Sequence, residues 1–336
     1  MKINFVPVLI LLIASCILFS CHKSADKPST PPDNPSGGDS LLAWEKMGAT
    51  IADGCADIWF VSSDHGFLLT ARAAFESIDS GKSWTQIPNT IQYVDPLNLF
   101  FIGSQYGFVM TRDYVLISQD GGSSWTAKRL TGSTDNGGQH AYYIAFTSPA
   151  TGFSSNTKDG LYRTADTAAS WQNVFSDSIP SIAYPSFISA DTGFLVTTAG
   201  SVAITGNGGL TWNKIPNDLS AVESNQPAFN QLQFLNSSIG YYGDLTGIHK
   251  SADGGKHWTT VLSKSRGFTR VIKFFDPDKG YFLAGNEIYK TLDGGTNWTL
   301  SCRVDSADNF VGMSFLNEHL GWACTSKGSV VRLNEK

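Results

Sequence analysis

The segment that decides the fold is residues 291–298, Thr-Leu-Asp-Gly-Gly-Thr-Asn-Trp. It follows a pattern of Ser or Thr, any residue, Asp, any residue, Gly, two further residues and Trp. Because an Asp side chain can accept backbone N–H groups across a turn and Gly tolerates a positive φ, the pattern predicts a tight hairpin turn with Trp starting the returning strand. Close copies occur at 77–84, 118–125 and 251–258, and degraded copies, without the Gly or with Asn for Asp, at 164–171 and 205–212.

A second marker recurs in register with the first. An aromatic residue stands six positions before a Gly, and that Gly is followed by Phe, Tyr or Trp. Successive glycines of this marker lie 40 to 47 residues apart, and such a period with several short strands per unit is typical of propeller blades. The seven copies are Phe60 with Gly66 and Phe67, Phe101 with Gly107 and Phe108, Phe146 with Gly152 and Phe153, Phe187 with Gly193 and Phe194, Phe234 with Gly240 and Tyr241, Phe274 with Gly280 and Tyr281, and Phe315 with Gly321 and Trp322.

The repeats predict an all-β, seven-bladed propeller over residues 41–336, with four antiparallel strands in each blade. After its expected third strand at 329–333, the last unit has no strand with a Trp. Residues 42–47, which contain Trp44, precede the first complete unit and have no blade of their own. We therefore expect 42–47 to complete the seventh blade, which closes the ring and removes an exposed sheet edge.

The N-terminal sequence predicts an exported lipoprotein. Residues 1–20 form a short apolar stretch after Lys2, which is typical of a signal peptide and too short for a membrane span. Residues 18–21, Leu-Phe-Ser-Cys, resemble a bacterial lipoprotein box with Cys21 as the lipidated residue; Cys16 ends a second acceptable box. Residues 21–40, rich in Pro, Ser, Asp and Gly, are expected to form a disordered tether. The protein is thus expected to be lipid-anchored to the bacterial cell envelope.

Composition limits the partners and cofactors. The net charge is −5 and no basic cluster occurs, so we expect no nucleic-acid partner. The six histidines show no metal-ligand spacing, and no nucleotide loop or nucleophile elbow is present, so no cofactor or metal is expected. Cys302 and Cys324 border the last blade, and either a disulfide between them or a role as small buried hydrophobes is compatible with the sequence.

Candidate partner-binding residues come from one position of the repeat, three residues before the marker aromatic. Asp57, Asn98, Tyr143, Tyr184 and Gln231 occupy it in the first five units, followed by Val271 and Gly312. These residues would lie near the entrance of the inner strands and could form a polar ring at one mouth of the channel, or simply be solvated. Basic residues expected in or near the same loops are Arg72, Arg112, Lys158, Arg266 and Arg270.

The repeated acidic residues of the turns are expected to be structural. No blade has more than one of them and they lie at the outer edge, so they cannot converge on one substrate, and we predict no catalytic residue among them. The structural set comprises Asp79 with Trp84, Asp120 with Trp125, Asp253 with Trp258, and Asp293 with Trp298, with Asp166 as a further copy.

The turn motif resembles the Asp-box, or BNR repeat, of bacterial sialidases, sortilin-type receptors and xyloglucanases. Its combination with the seven Phe and Gly-aromatic markers, after an export signal, resembles the photosystem II stability/assembly factors over residues 42–333. That resemblance implies a seven-bladed propeller that binds membrane-protein assembly intermediates, with an arginine-rich patch on one face. Here Arg72, Arg112 and Arg270 are scattered and the net charge is acidic, which favours a role outside photosynthesis.

The first functional hypothesis is therefore a non-enzymatic, membrane-tethered propeller that binds a protein partner. The alternative is a surface protein that binds or cleaves a glycan. A pair of carboxylates about 5–9 Å apart on the loop-bearing face would favour the glycosidase. The acids to inspect are Asp95, Asp159, Asp244 and Asp308.

Overall fold

Seven antiparallel sheets of four strands are arranged around a ring in the computed structural model. The structure describes residues 43–48, 50–88, 96–111, 113–130, 143–156, 160–176, 183–219, 231–244, 246–263 and 269–335, without the side chains of Asn156, Thr269 and Arg270. The predicted signal peptide, tether and lipidated Cys21 lie outside these residues. No helix occurs within them, and the predicted all-β, seven-bladed architecture is confirmed.

Six blades follow the chain, each from its innermost to its outermost strand. Blade I contains β2 (Asp57–Phe60), β3 (Gly66–Leu69), β4 (Ala74–Ser77) and β5 (Thr85–Ile87). Blade II contains β6 (Pro96–Ile102), β7 (Tyr106–Thr111), β8 (Tyr114–Ser118) and β9 (Thr126–Arg129). Blade III contains β10 (Tyr143–Phe146), β11 (Gly152–Asn156), β12 (Gly160–Thr164) and β13 (Gln172–Phe175).

The second half of the ring is built in the same way. Blade IV contains β14 (Ala183–Phe187), β15 (Gly193–Thr197), β16 (Val202–Thr205) and β17 (Asn213–Ile215). Blade V contains β18 (Gln231–Phe234), β19 (Gly240–Gly243), β20 (Gly247–Ser251) and β21 (Thr259–Ser263). Blade VI contains β22 (Thr269–Phe274), β23 (Gly280–Ala284), β24 (Glu287–Thr291) and β25 (Thr299–Arg303). Blade VII contains β26 (Phe310–Asn317), β27 (Leu320–Thr325), β28 (Val330–Asn334) and, as its outermost strand, β1 (Trp44–Lys46).

The pairing of β1 with β28 closes the ring, as the sequence predicted. Trp44 lies opposite Leu333 and Lys46 opposite Val331 in an antiparallel ladder. The indole N–H of Trp44 donates to Ser301 Oγ of blade VI at 2.9 Å, which ties the closing strand to a second blade. The regular strand is shorter than the predicted 42–47, since it ends at Lys46 and residue 42 is not described.

The second sequence marker corresponds to one packing unit that recurs in every blade. Its first aromatic residue stands at or near the end of the inner strand and lies directly against the marker Gly, so a Cβ added to Gly66 would meet the Phe60 ring at 2.6 Å. The same ring contacts the Trp of the blade edge to face, with 6.0 Å between the ring centroids of Phe60 and Trp84. In blade VII, Trp44 makes this contact with Phe315 at 6.2 Å. The N-terminal strand therefore supplies the seventh Trp.

The second aromatic residue of each marker stacks on the first aromatic residue of the next blade. Tyr241 lies 3.5 Å from Phe274 between ring centroids, and the series closes with Trp322 on Phe60 at 3.7 Å and 6° between the planes. These stacks lie within the apolar clusters that fill the spaces between neighbouring blades, so they join the blades into one ring. The seven pairs are Phe67–Phe101, Phe108–Phe146, Phe153–Phe187, Phe194–Phe234, Tyr241–Phe274, Tyr281–Phe315 and Trp322–Phe60.

The turn between the third and fourth strands in each of blades I to VI, called the Asp turn below although blade IV has Asn in place of Asp, is held by side-chain hydrogen bonds. In blade II the Ser118 hydroxyl accepts the Gly122 N–H at 2.8 Å and donates to Asp120 Oδ1 at 2.8 Å. Asp120 Oδ1 also accepts the Ser124 N–H at 2.9 Å. The carboxylate therefore bridges the two ends of the turn, as predicted.

The two degraded copies form the same turn with substitute residues. In blade IV, Asn207 Oδ1 accepts the Thr211 N–H at 3.0 Å and Asn207 Nδ2 donates to Thr211 Oγ1 at 2.9 Å. In blade III, Thr167 and Ala168 adopt φ values of 57° and 60°, where the turn of blade II has two glycines at 70° and 91°. The pattern thus tolerates the loss of Asp or Gly, at the cost of left-handed backbone strain in blade III.

Candidate interaction face

Two ends of the ring differ in what they present. At one end, each Asp turn lies beside the turn that joins the first two strands; Gly121 N–H, for example, donates to the Gln105 carbonyl at 2.9 Å. The opposite end, called the loop face below, carries the hairpin turns between second and third strands and the connections between blades. This arrangement confirms that the two marker turns share one end of the ring.

The five polar or aromatic candidates lie at or near the loop-face ends of five successive inner strands. Two of them accept a backbone N–H of the next inner strand. The Asp57 carboxylate accepts the Leu99 N–H at 2.8 Å, and Gln231 Oε1 accepts the Ile272 N–H at 3.1 Å. These side chains therefore fasten one blade to the next.

The remaining three candidates are also directed into the ring. The Tyr143 hydroxyl donates to the Pro185 carbonyl at 3.1 Å, and its ring meets Tyr184 edge to face at 5.4 Å. Tyr184 is buried. Asn98 Oδ1 is buried and, within the described ranges, has no hydrogen-bond partner. Asn98 is thus the candidate of this set with unused hydrogen-bonding capacity on its amide oxygen.

A second polar position, one residue before the marker aromatic, serves the same purpose and escaped the sequence reasoning. Ser186 Oγ accepts the Phe234 N–H at 2.9 Å, and Ser314 Oγ accepts the Phe60 N–H at 2.9 Å. Residues three and one before the marker share a side of the strand because strand side chains alternate with a period of two. An inner strand has a free edge whose N–H groups need partners, and these two positions supply them from the preceding blade. That period was the signal that could have identified the second position.

The environment of Asp57 suits a structural hydrogen bond between blades rather than general acid catalysis. Burial raises the pKa of its carboxyl to about 7, and backbone hydrogen bonds from Leu99 and Ile58 act in the opposite direction. Both oxygens are already engaged, one with Leu99 N–H at 2.8 Å and the other with Ile58 N–H at 2.9 Å. Deprotonation of Asp57 above neutral pH therefore places a charge inside the ring.

The arginines of the loop face are distributed over several blades. Arg72 is exposed in the turn after β3, where its N–H donates to Thr70 Oγ1 at 3.2 Å. The sequence did not single out two further arginines, which lie at this face at the ends of outermost strands. Arg129 is the last residue of β9 and Arg303 is the last residue of β25. Arg303 Nε donates to Glu287 Oε1 at 2.7 Å. Each follows the Trp of its blade by four or five residues, which could have indicated them. Arg112, Lys158, Arg266 and the side chain of Arg270 are outside the described part of the chain.

Asp244, a candidate acid of the glycosidase alternative, is held ionised in blade V. Its Oδ1 accepts the Thr246 N–H and hydroxyl, both at 2.6 Å, and lies 3.3 Å from His249 Nε2. Burial opposes ionisation, but the hydrogen bonds from His249 and Thr246 outweigh it and lower the pKa. A glycosidase general acid needs a raised pKa, so Asp244 does not fit that role.

Asp308 is held in the same manner before β26. Its Oδ1 accepts the backbone N–H groups of Asn309 at 2.8 Å and Lys327 at 3.0 Å. Burial again acts against ionisation, and hydrogen bonds from Thr325, Ser326 and these N–H groups lower the pKa of Asp308. The other two candidate acids, Asp95 and Asp159, fall outside the described residues.

The Asp turns hold their carboxylates ionised as well. Hydrogen bonds from the hydroxyl and N–H of a serine four residues on lower the pKa of Asp79, Asp120 and Asp166 to about 2. The pKa of Asp253 is also lowered, by hydrogen bonds from the His257 backbone and ring. Each carboxylate is in a different blade and is used within its own turn.

Metal and membrane signals are absent from the part of the chain that the structure describes. No three His, Cys, Asp or Glu side chains are grouped there as metal ligands would be. No helix there has the length and apolar character needed to cross a bilayer.

Comparisons with known proteins place the chain among propellers of one family. The family model described as "Photosynthesis system II assembly factor YCF48" matches residues 38–185 and 182–299. The structure titled "YCF48 bound to D1 peptide" is similar with a TM-score of 0.66 and 17% identity, over 92% of this chain and 100% of that one. YCF48 from Cyanidioschyzon merolae gives 0.61 and 15%, over 87% and 98% of the two chains.

A glycoside hydrolase shares the fold. The GH74 xyloglucanase from Xanthomonas campestris gives a TM-score of 0.59 and 11% identity, over 87% of this chain and 53% of the xyloglucanase. At these identities the structural matches show the fold alone. No curated protein matches the sequence.

Proposed function

Because this chain belongs to the photosynthesis system II assembly factor YCF48 family, we propose that it is a non-enzymatic propeller that binds a segment of a protein partner on its loop face. The observation that carries the proposal is the family match together with the similar solved structure of YCF48 bound to D1 peptide. Loops on a rigid ring are the usual place for binding residues.

The chemistry of the two ends of the ring supports the loop face. The Asp-turn carboxylates accept hydrogen bonds within their own turns. The described candidate acids Asp244 and Asp308 are held ionised by local hydrogen bonds. The loop face offers the exposed Arg72, whereas the family resemblance implies a concentrated arginine patch. This difference and the net charge of −5 favour a partner other than a photosystem subunit.

Capture of the partner from detergent-solubilised membranes, followed by mass spectrometry, tests the proposal. The captured protein is then divided into overlapping peptides, and their binding is measured with wild type and two charge-reversed variants. Arg72→Glu alters the loop face, while Lys82→Glu alters a cation that is also exposed, at the Asp-turn end of the same blade. We expect Arg72→Glu to weaken peptide binding about tenfold, as one charged contact of about 1.4 kcal/mol would, and Lys82→Glu to leave it unchanged. Equal effects of both variants, or no binding peptide, would contradict the proposal.

We further propose that the propeller is held at the cell envelope through lipidation of Cys21. Support comes from the apolar residues 3–19 and the polar sequence that begins at His22. Cys21→Ser is expected to move the protein from the membrane fraction to the soluble fraction and to abolish incorporation of labelled fatty acid. A Cys16→Ser variant serves as the control and should keep both properties. Label that persists in Cys21→Ser would reject this anchor.

A glycan-directed function is the second candidate, and the shared fold with a xyloglucanase is the observation that favours it. A glycan array and a reducing-sugar assay with xyloglucan separate this candidate from peptide binding. Release of reducing ends from xyloglucan by the wild-type protein would favour the glycosidase.

A further inference from the structure

Residues 50–55, which lie between β1 and β2, run along blade VII and bring Cys55 to the side of β27. Ile51 N–H donates to the Gly328 carbonyl at 2.9 Å, and Cys55 N–H donates to the Thr325 carbonyl at 3.1 Å. Cys55 is therefore hydrogen-bonded to the residue that follows Cys324. This contact joins two positions at opposite ends of the sequence, where the ring closes.

Strand alternation directs Cys324 toward Cys55 and away from Cys302. Trp322 and Cys324 face the apolar cluster between blades VII and I, which also contains Cys55. The intervening Ala323 faces the cluster between blades VI and VII, which contains Cys302. The structure therefore separates Cys302 and Cys324, the pair that the sequence left open, and places Cys324 with Cys55.

The two thiols share one buried site. Cys55 and Cys324 are both buried in the apolar cluster between blades VII and I. Burial, the neighbouring Cys55 thiol and the Asp57 carboxylate raise the pKa of Cys324 well above its ordinary value, so the folded thiol is a poor nucleophile. Once the ring has closed, the pair is protected from exchange with outside thiols.

We propose that Cys55 and Cys324 form a disulfide that seals the propeller covalently when the chain folds in an oxidising compartment. The predicted export signal at 1–20 would deliver the chain to such a compartment. With glutathione disulfide as oxidant, one cysteine thiolate attacks it and releases one glutathione. The second thiolate then attacks the mixed disulfide, forms the Sγ–Sγ bond and releases the second glutathione. Two electrons and two protons pass to the two glutathione molecules, and the steps occur before packing buries the thiols.

The bond would turn a non-covalent closure into a covalent one. Without it, β1, Met47, Ile51 and Cys55 are held to blade VII non-covalently, through hydrogen bonds and apolar contacts. A cross-link between residues 55 and 324 encloses nearly the whole ring, and cross-links that close long loops restrict the unfolded chain most. Reduction should therefore lower the melting temperature by roughly 5 °C or more.

The test refolds the full chain in a glutathione redox buffer, traps free thiols with iodoacetamide under denaturing conditions without reduction, and maps proteolytic peptides by mass spectrometry. We expect a peptide that links Cys55 to Cys324, two mass units lighter than the sum of its reduced halves, while Cys302 is alkylated. In Cys55→Ala and Cys324→Ala the linked peptide is lost and the remaining partner is alkylated. Cys302→Ala is the matched control and retains the linked peptide.

Several outcomes would overturn the proposal. Complete alkylation of Cys55 and Cys324 in refolded, monomeric wild type would do so, as would a linked peptide that contains Cys302. The wild-type map decides the question even if a variant fails to fold. A melting temperature that dithiothreitol lowers in wild type and in Cys302→Ala, but not in Cys55→Ala, separates the disulfide from a general effect of the reductant.

Discussion

Thr167 of blade III is held in a backbone conformation that a β-branched residue rarely adopts. Its φ is 57°, in the left-handed region. We expect Thr167→Gly to stabilise the protein by about 1 kcal/mol, because Gly adopts this conformation without the clash of Cβ with the following carbonyl. Urea unfolding followed by tryptophan fluorescence measures the change. Thr147→Gly in the same blade, at a residue outside the left-handed region, is the control and should destabilise the protein.

Protonation of the Asp-turn carboxylates is expected to lower the stability of the protein in acid. The pKa of Asp120 falls from 3.8 to about 2 in the folded state, so its contribution is present above about pH 4 and is lost as the pH falls toward 2. Asp79 and Asp166 act in the same direction. We expect the melting temperature to drop between pH 4 and pH 2.

Asp120→Asn isolates this titration. Asn fits the turn, as Asn207 shows in blade IV, and it has no proton to gain. The variant should melt below wild type at pH 7 and approach it at pH 2. A difference that stays constant from pH 7 to pH 2 would show that the ionised carboxylate does not stabilise the turn.

Asp57 titrates with the opposite sign. Its folded pKa of about 7 lies above the ordinary 3.8, so the stability it contributes is complete below pH 3.8 and is lost as the pH rises through 7.

The Asp turn could be predicted from sequence because its partners are within four residues. The bond from Asp57 to Leu99 could not, because it spans 42 residues and depends on how closely two blades approach.

Within a blade, the contact between the marker Phe and the marker Gly explains the fixed spacing of these two residues in the sequence. A Cβ on Gly280 would meet the Phe274 ring at 2.6 Å. We expect Gly280→Ala to destabilise the protein by about 1–3 kcal/mol, because a buried ring must move. In a Phe274→Leu background the same change should cost at least about 0.5 kcal/mol less, since the two residues share one space.

Urea unfolding of the four chains in this double-mutant cycle measures the coupling. Gly206→Ala is the control, because an added Cβ there has no neighbour within 4 Å. Strict additivity of Gly280→Ala and Phe274→Leu would mean that the marker spacing has a cause other than this contact.

Strand order and blade number follow from this local unit, which explains why the sequence predicted them. Each marker specifies an inner strand, a turn and a second strand within about ten residues. The sequence was a weaker guide to which inter-blade cluster each side chain enters. Ala323 and Cys324 are adjacent in β27, yet strand alternation places them in different clusters. The position of Arg303 on the loop face was also difficult to predict, because it depends on the hydrogen bond from Arg303 to Glu287 across a hairpin.

At the scale of the whole molecule, the closing strand determines whether the ring is complete. A chain that begins at residue 43 retains β1, whereas one that begins at residue 48 loses it and exposes the edge of β28. We expect the longer chain to be a monomer that melts like the full protein. The shorter chain should melt at a lower temperature and self-associate, because an open strand edge pairs with other chains.

Size-exclusion chromatography and thermal unfolding distinguish the two chains. Loss of β1 also removes Trp44 from the cluster between blades VI and VII and leaves Ser301 without its indole donor. Equal melting temperatures and elution volumes would show that the ring is complete without β1.

The start of β1 and the end of β28 meet where the other six blades carry an Asp turn, and Asn334 N–H donates to the Ala43 carbonyl at 3.2 Å. A short copy of such a turn could therefore join residue 333 to residue 44 without moving either strand. The resulting polypeptide would be endless, and a gene could open it at any inter-blade connection. Blade order in the gene would then be a matter of circular permutation, with the same propeller encoded from seven different starting points.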